Sequence, residues 1–400
     1  MAALINRVRF PLATAELDRR WAQVRALMRE RKIEALVIQG ANNYVGGGGY
    51  FRWFSGLSAT GTYPSTLLFP AGDLMTLLQG GPFGGDAKFD GSDPAAYGIG
   101  RRMSVPSFPA VSYTWEYDAD LIAQAIKHAG YRTVGIVGPD MMYYGFLSRL
   151  RTLLSAVDFA DPTEAIDLIK ADKSEDDIVW IRKAAEMQDE IFAKARAFAR
   201  PGLHDYEVFT YSEYVGDQLG SETGYFIGSS APYGEQAWYR GKPYHGRKIR
   251  EGDVMMWQAE NTGPAGWFVH MARFFVFGRA PQELIDAFGA AVEAQKYTLS
   301  LLQPGAACRD VFAQYQDYMR ARNLPVERRL HCHGQGYENV ERPLIRHDET
   351  MTVAGNMNIG IHPAVTTENM FMTVCDNFLL HTAGPAERLH KTPQELFEVA

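Results

Sequence analysis

Cysteine is scarce: Cys308, Cys332 and Cys375 are the only three in 400 residues. An odd, sparse set makes no disulfide framework, which excludes small secreted scaffolds and points to a reducing, cytoplasmic setting. Long apolar runs are missing as well. No stretch approaches the roughly 18 residues that span a bilayer, and charges interrupt the first twenty residues too early for a secretory signal core. Nor is there a basic excess, since 40 Lys and Arg stand against 47 Asp and Glu, a net charge of −7. Dedicated nucleic-acid binders carry the opposite balance, so neither nucleic acid nor membrane is an expected partner. The familiar hydrolase signatures are absent: no HExxH, no CxxC, no finger spacing and no GxSxG elbow. Gly46–Gly49 lacks the Lys-Ser/Thr and the strand–helix context of a phosphate loop, and reads as a flexible loop.

What is present is an ordinary globular composition, 46% hydrophobic and 22% charged, too apolar for disorder. The length suggests two or three domains. Up to about residue 157, helix and strand patterns alternate. Ala15–Arg31 carries Leu17, Trp21, Val24, Leu27 and Met28 at helical spacing. IEALVIQG, TYPSTLLFP, LMTLLQG and TVGIVG read as strands, and Tyr117–Ala129 and Phe146–Ala156 as helices. This predicts an α/β domain over residues 1–165. A polar linker then leads into a long helix opened by Ser174 and three acidic residues. The second domain, 166–400, reads as helical over 178–220, glycine-rich and β-like over 224–278, then a helix pair near 281–300 and 308–322, then strands.

Candidate chemistry concentrates in that second half. Nine of the ten histidines lie beyond residue 200, and imidazole is the commonest transition-metal ligand. His270, His331, His333 and His362 are the candidates, with His331 and His333 expected on one strand face. Near the N-terminus, Phe51, Arg52 and Trp53 could frame one guanidinium as a carboxylate clamp.

Four segments carry a resemblance. KSEDDIVWIRKAAEMQDEIF, GDVMMWQAENTGPAGWFVHMARFFVFG, QPGAACRDVFAQYQDYM and HGQGYENVERPLIRHDETMTVAGNMNIGIHPA follow one another in the order found in the pita-bread family of creatinase, prolidase and methionine aminopeptidase. The resemblance covers residues 170–385 and implies an α+β protein, a C-terminal pita-bread domain preceded by a smaller creatinase-type α/β domain. It also implies a homodimer in which the smaller domain of one subunit caps the partner's pocket, leaving open whether Arg52 acts within its own subunit or across the interface.

The family's metallopeptidases bind two metals through two Asp, one His and two Glu. Aligned by motif, these positions fall on Gln258, His270, His333, His362 and Cys375, with Asp376 beside the last. Only the His is retained, so the carboxylates that bridge and neutralise two dications are gone. The second, peptide-contacting His of the family falls near Val340 and is also missing. Two readings stay open. In one, His270, His333 and His362 hold a single divalent transition metal (Zn, Fe or Mn), completed by Cys375, Asp376 or Gln258. In the other, the site is metal-free, as in creatinase, and the same histidines transfer protons. Glu260 and Arg273 are further catalytic candidates on the same strand pair. His245 is a candidate for the creatinase general base, displaced in register. Trp238, Tyr239, Arg240 and Tyr337 are candidate substrate walls. The expected activity is hydrolysis of a C–N or C–C bond in a small anionic molecule, aromatic ones included, rather than peptide cleavage on two metals. A lyase or decarboxylase, a metal-free amidinohydrolase and a non-catalytic binding module are the alternatives.

Overall fold

A computed structural model describes residues 8–40, 49–58 and 63–399. Gly46–Gly48 of the glycine run lie outside the described residues. The chain forms two compact units, Met1–Lys170 and Ala171–Ala400.

The first unit is built on a seven-stranded sheet. Its strands are β1 (Ala35–Gly40), β2 (Ser65–Pro70), β3 (Met75–Gly80), β4 (Gly85–Lys88), β5 (Ile99–Val105), β6 (Thr133–Val137) and β7 (Asp158–Ala160), in the order β4-β5-β3-β2-β1-β6-β7. Pairings of β1 with β6 and β6 with β7 are parallel, and those of β1 with β2 and β2 with β3 antiparallel. The helices are α1 (Thr14–Arg31), α2 (Gly49–Ser55), α3 (Trp115–Ala129), α4 (Tyr144–Leu153) and α5 (Thr163–Ala171). β1 and β2 are buried along their whole length, so their sequences show no polar alternation. Five elements of this unit escaped the sequence reading: β7 and α5 in the segment read as a polar linker, and α2, β4 and β5. α2 carries the Phe51-Arg52-Trp53 motif, and its glycine-rich approach reads as loop. β4 and β5 are broken up by glycine and paired Arg residues, which are weak strand formers.

The second unit opens with α6 (Glu175–Phe198) and α7 (Asp205–Leu219). Ser174 caps α6 in a capping box: its hydroxyl accepts from Asp177 N and the Asp177 carboxylate accepts from Ser174 N, both at 3.1 Å. Such a cap is worth about 1 kcal/mol. The strands follow: β8 (Gly224–Ile227), β9 (Ser230–Pro232), β10 (Asp253–Thr262) and β11 (Phe268–Phe277). After α8 (Gln282–Leu301) and α9 (Cys308–Ala321) come β12 (Cys332–Gly334), β13 (Glu341–Leu344), β14 (Asn358–Ile361), β15 (Ala364–Thr367), β16 (Met370–Thr373), β17 (Asp376–Leu379), β18 (Glu387–Arg388) and β19 (Leu396–Val399). One sheet runs β19-β11-β10-β8, with β9 beside β10, and another β13-β12-β14-β17-β18. β15 and β16 form a hairpin.

The central pair is β10 and β11, ten buried residues each. Alternation along them sorts the two faces. Met255, Trp257, Ala259, Met271 and Phe275 join Ile191, Phe192 and Phe209 in one core. Trp257 is edge-on to Phe192 at 5.3 Å, and its indole N–H donates to Ser212 Oγ at 3.0 Å. Gln258, Glu260, His270 and Ala272 therefore face the other way. Glu260 lies directly across the ladder from His270. An isolated bridge from Ala272 to Cys375 links β11 to the sheet that carries His333 and His362.

Candidate metal centre

Three strands converge on one point. His270 comes from β11, His333 from β12, and His362 follows directly on β14. His333 pairs with Gly360 across the β12–β14 ladder, and His362 N donates to His331 O at 2.7 Å. The three ring centroids lie 5.0, 5.2 and 5.1 Å apart. One nitrogen of each ring lies within 4.8 Å of the other two, and all three side chains are buried.

The donor chemistry suits a cation. His333 Nδ1 sits 2.9 Å from Gly334 O. A carbonyl only accepts, so Nδ1 carries the proton and Nε2 keeps its lone pair. His270 Nε2 is buried with no hydrogen-bond partner, a costly state for a polar atom with no ligand. Burial pushes the His333 pKa down to about 4. Burial, then the neighbouring imidazoles and Arg329, holds His270 well below its usual range. Burial, His333 and Arg329 do the same for His362. All three are thus neutral near pH 7, the form that binds metal. The site fits one metal on imidazole donors. Carboxylates able to bridge a metal pair do not join the ligand group among the described residues.

Room for His270 comes from Gly360. A Cβ at residue 360 would lie 1.8 Å from His270 Nε2. The missing side chain on β14 and the imidazole on β11 are complementary.

Glu260 borders the cluster. Its carboxylate accepts from Asn339 Nδ2 at 2.6 Å, from Tyr225 Oη and from Gln258 Nε2. Burial pushes its pKa up, and these three donors only partly oppose that. Gln258 Oε1 is left without a partner. Tyr239 stands near this edge, packed on Phe371 at 5.1 Å. Its hydroxyl pKa is raised by burial first, then by Cys375 and Glu260, so it stays protonated.

Several sequence candidates do not join the three histidines. Asp376 faces away from them. It is bound by Arg273 Nη2 and Gln394 Nε2, each at 2.7 Å, and although burial pushes its pKa up, Arg273 and His390 hold it below the usual range. Arg273 projects from the opposite face of β11 to His270 and spends its donors on Asp376 and on the carbonyls of Ala272, Cys375, Thr392 and Pro393. Neither joins the ligand group of the three histidines. The thiol of Cys375 donates to His270 O at 3.5 Å and is kept protonated by burial. His245 lies elsewhere, its Nε2 on Gly228 O and Arg240 O at 3.0 and 2.7 Å and its ring on Phe209. It ties a loop together rather than reaching the cluster. His331 is also outside, stacked flat on Tyr315 at 3.6 Å. Tyr337 is a core residue against Trp267. Trp238 packs on Phe371, while Arg240 is exposed. Phe51, Arg52 and Trp53 are buried on α2 of the first unit, with Trp53 edge-on to Phe54 and its carbonyl accepting from Arg20.

Three residues around the cluster were missed in the sequence: Gly360, which lies against His270, and Tyr225 and Asn339, which hold Glu260. A bare glycine inside the short strand before His362 was the one available signal, since glycine in a strand often marks a close approach.

The sequence pattern of metallopeptidase family M24 matches residues 179–381. Among curated proteins, the chain is 24% identical over 248 residues to a probable dipeptidase PepE of Mycobacterium tuberculosis, covering 59% of this chain and 63% of that one. It thus spans under two thirds of the length of the first relatives it matches. A Xaa-Pro dipeptidase of Pyrococcus horikoshii is 26% identical over 285 residues, 67% of this chain and 75% of the relative. Among solved structures, a Thermococcus sibiricus prolidase superposes with a TM-score of 0.76 at 19% identity, over 96% of this chain and 99% of that one. An X-Pro aminopeptidase from Thermotoga maritima gives 0.75 at 16% identity, over 95% and 99%. The fold is therefore the pita-bread α+β architecture with its N-terminal domain, as the sequence resemblance implied. With 203 of its 400 residues inside the family pattern, the chain belongs to metallopeptidase family M24, a family of hydrolases.

Proposed function

We propose that the chain is a hydrolase that cleaves a C–N bond of a small substrate with one divalent metal held by His270, His333 and His362. The observation that carries this reading is the buried set of three clustered imidazoles, with His270 Nε2 left unpartnered. A bound Zn, Fe or Mn ion would supply Lewis-acid chemistry there, polarising an acyl oxygen and lowering the pKa of a water it takes up. The protein's own groups supply the rest. Glu260 would accept the proton released by the attacking water and return it to the leaving nitrogen, a task for which its raised pKa suits it. Gln258 Oε1 offers an acceptor for a substrate N–H. Tyr239 and Phe371 would form an apolar wall.

Dipeptide hydrolysis is the second reading, favoured by the names of the relatives. The all-imidazole donor set weighs against it as an activity run on two bridged metals. The cytoplasm is the proposed compartment, on the strength of three free, buried cysteines. No described helix is long and apolar enough to cross a membrane. A homodimer belongs to the same proposal and is checked by the mass of the protein in solution.

The deciding experiment is metal analysis of protein purified without added metal or chelator, paired with turnover of glycyl-proline. One transition metal per chain with no dipeptide turnover supports the single-metal reading. Two per chain with dipeptide turnover overturns it in favour of the peptidase. Protein that takes up no metal overturns it in favour of metal-free proton transfer by the same histidines. Solvent oxygen found in the product separates hydrolysis from elimination.

A further inference from the structure

We propose that the outer edge of β4 is a dimer contact, where β4 of a second copy of this chain adds antiparallel to β4 of the first and joins the two seven-stranded sheets into one. The inference rests on the homodimer of the preceding proposal and adds the face that forms it.

The edge is open. β4 stands at the end of its sheet, paired with β5 on one side and with no described strand on the other. Asp86, Ala87 and Lys88 are exposed. Along an antiparallel strand, successive residues turn their backbone groups to opposite sides. Phe89 N donates to Gly100 O at 2.8 Å across the β4–β5 ladder. Ala87 and Gly85 therefore also turn theirs toward β5, and Asp86 and Lys88 turn theirs outward. Such outward N–H and C=O groups are a template for a further strand. Phe83 and Phe89 flank the strand and are 66% and 38% exposed, so the edge also offers apolar surface at both ends.

The charges on this edge select its occupant. A two-fold axis through Ala87 sets Asp86 of each copy opposite Lys88 of the other. These are the two residues whose backbone groups point outward, so the register satisfies both ladders at once. It also places two pairs of opposite charge directly across the new contact, a stabilising cross-strand arrangement. An axis through Asp86 or through Lys88 would instead set like charge on like. The edge is thus complementary to itself in one register, as a symmetric dimer requires. Asp86 accepts from Arg101 at 2.9 and 2.7 Å, and each carboxylate oxygen keeps capacity for a second donor. Lys88 makes no hydrogen bond or ion pair among the described residues. The same register lays the exposed ring of Phe89 against Gly85 of the other copy, where no side chain stands in its way.

The test is sedimentation equilibrium of the full chain combined with single-cysteine cross-linking. Wild type is expected at twice the chain mass at micromolar concentration. Lys88→Glu sets acid against acid and should raise the dimer dissociation constant at least about tenfold, with an unchanged circular-dichroism spectrum. Ala87→Cys should form an interchain disulfide with oxidised glutathione. Its two copies make a non-hydrogen-bonded pair with Cα atoms about 4.5 Å apart, within disulfide reach. Asp86→Cys, which faces residue 88 of the other copy, should not. Cys308, Cys332 and Cys375 are buried, so the cross-link reports the introduced thiol. Monomeric wild type overturns this proposal together with the homodimer. A dimer that persists in Lys88→Glu, gives no disulfide at position 87, or cross-links equally at position 86 overturns the β4 contact alone and leaves the homodimer to another face. The metal reading concerns the other unit and is decided separately by its own metal analysis.

Discussion

Substituting Gly360 by alanine tests the metal centre without touching a ligand. The added Cβ would lie 1.8 Å from His270 Nε2 and 2.8 Å from both Cδ2 and Cε1. Real Cβ atoms do not approach within 3.0 Å, so the ring or β14 must move by at least about 1.2 Å. The imidazole is buried and borders the rings of His333 and His362. Overpacking of this kind costs about 1–3 kcal/mol of stability. The effect on metal is larger. Loss of a mere supporting hydrogen bond around a metal costs 10- to 100-fold in affinity, so a ligand pushed off its position should cost no less than about 100-fold. The assay is competitive zinc titration against a chromophoric chelator, run beside thermal unfolding. A double-mutant cycle gives the refutation. In a His270→Ala background the space is open, so Gly360→Ala should become nearly neutral for stability. If Gly360→Ala binds zinc like wild type, or destabilises both backgrounds equally, the imidazole is not where the glycine argument puts it.

Three further outcomes follow from buried charges. Glu260→Gln removes a proton acceptor but turns an amide N–H toward the donors Tyr225 and Asn339. It should lower kcat by about 100-fold or more with little change in KM, at a stability cost of about 1–3 kcal/mol; steady-state kinetics that show a KM effect alone would rule out the proton-transfer role. Asp118 in the first unit has a pKa raised from 3.8 to about 6 by burial, with Ser107 Oγ as its hydrogen-bond donor. The folded state therefore holds that proton more tightly than the unfolded state. Its stability contribution is complete below pH ~4 and is lost as pH rises toward ~6. Asp118→Asn should be more stable than wild type by about 2 kcal/mol at pH 8 and no different at pH 4, by urea unfolding at both values; a pH-independent difference would refute the sign. Arg273→Met should cost about 3–5 kcal/mol, because it leaves Asp376 charged and buried with half its partners gone, while zinc stoichiometry in the folded fraction is unchanged. A selective loss of zinc would return Arg273 to the site.

Much of this protein was legible before any coordinates. α1, β1, β6 and α3 follow directly from apolar spacing, because each buries one stripe or a whole strand against a single neighbouring layer. The start of α6 was visible in Ser174 and the acids behind it, since capping is a local interaction. The order of four family-like segments implied the fold, and the same comparison singled out His270, His333 and His362. What local pattern could not convey was which way a side chain points once strands pair. Asp376 and Arg273 sit one residue from Cys375 and three from His270, yet strand alternation turns them to the far face, where they satisfy each other. His331 and His333 were expected together, but His331 lies ahead of the strand and stacks on α9 instead. His245 was read as a candidate base displaced in register, and its Nε2 lies on the carbonyls of Gly228 and Arg240. The residue types put amide, imidazole and thiol at the positions where the family resemblance implies carboxylates. Only the tertiary structure decided that three imidazoles, the second and third 63 and 92 residues beyond His270 in sequence, and a space-making glycine meet at one point. Such meetings depend on cross-strand register, and register is set by the whole sheet rather than by any segment of it.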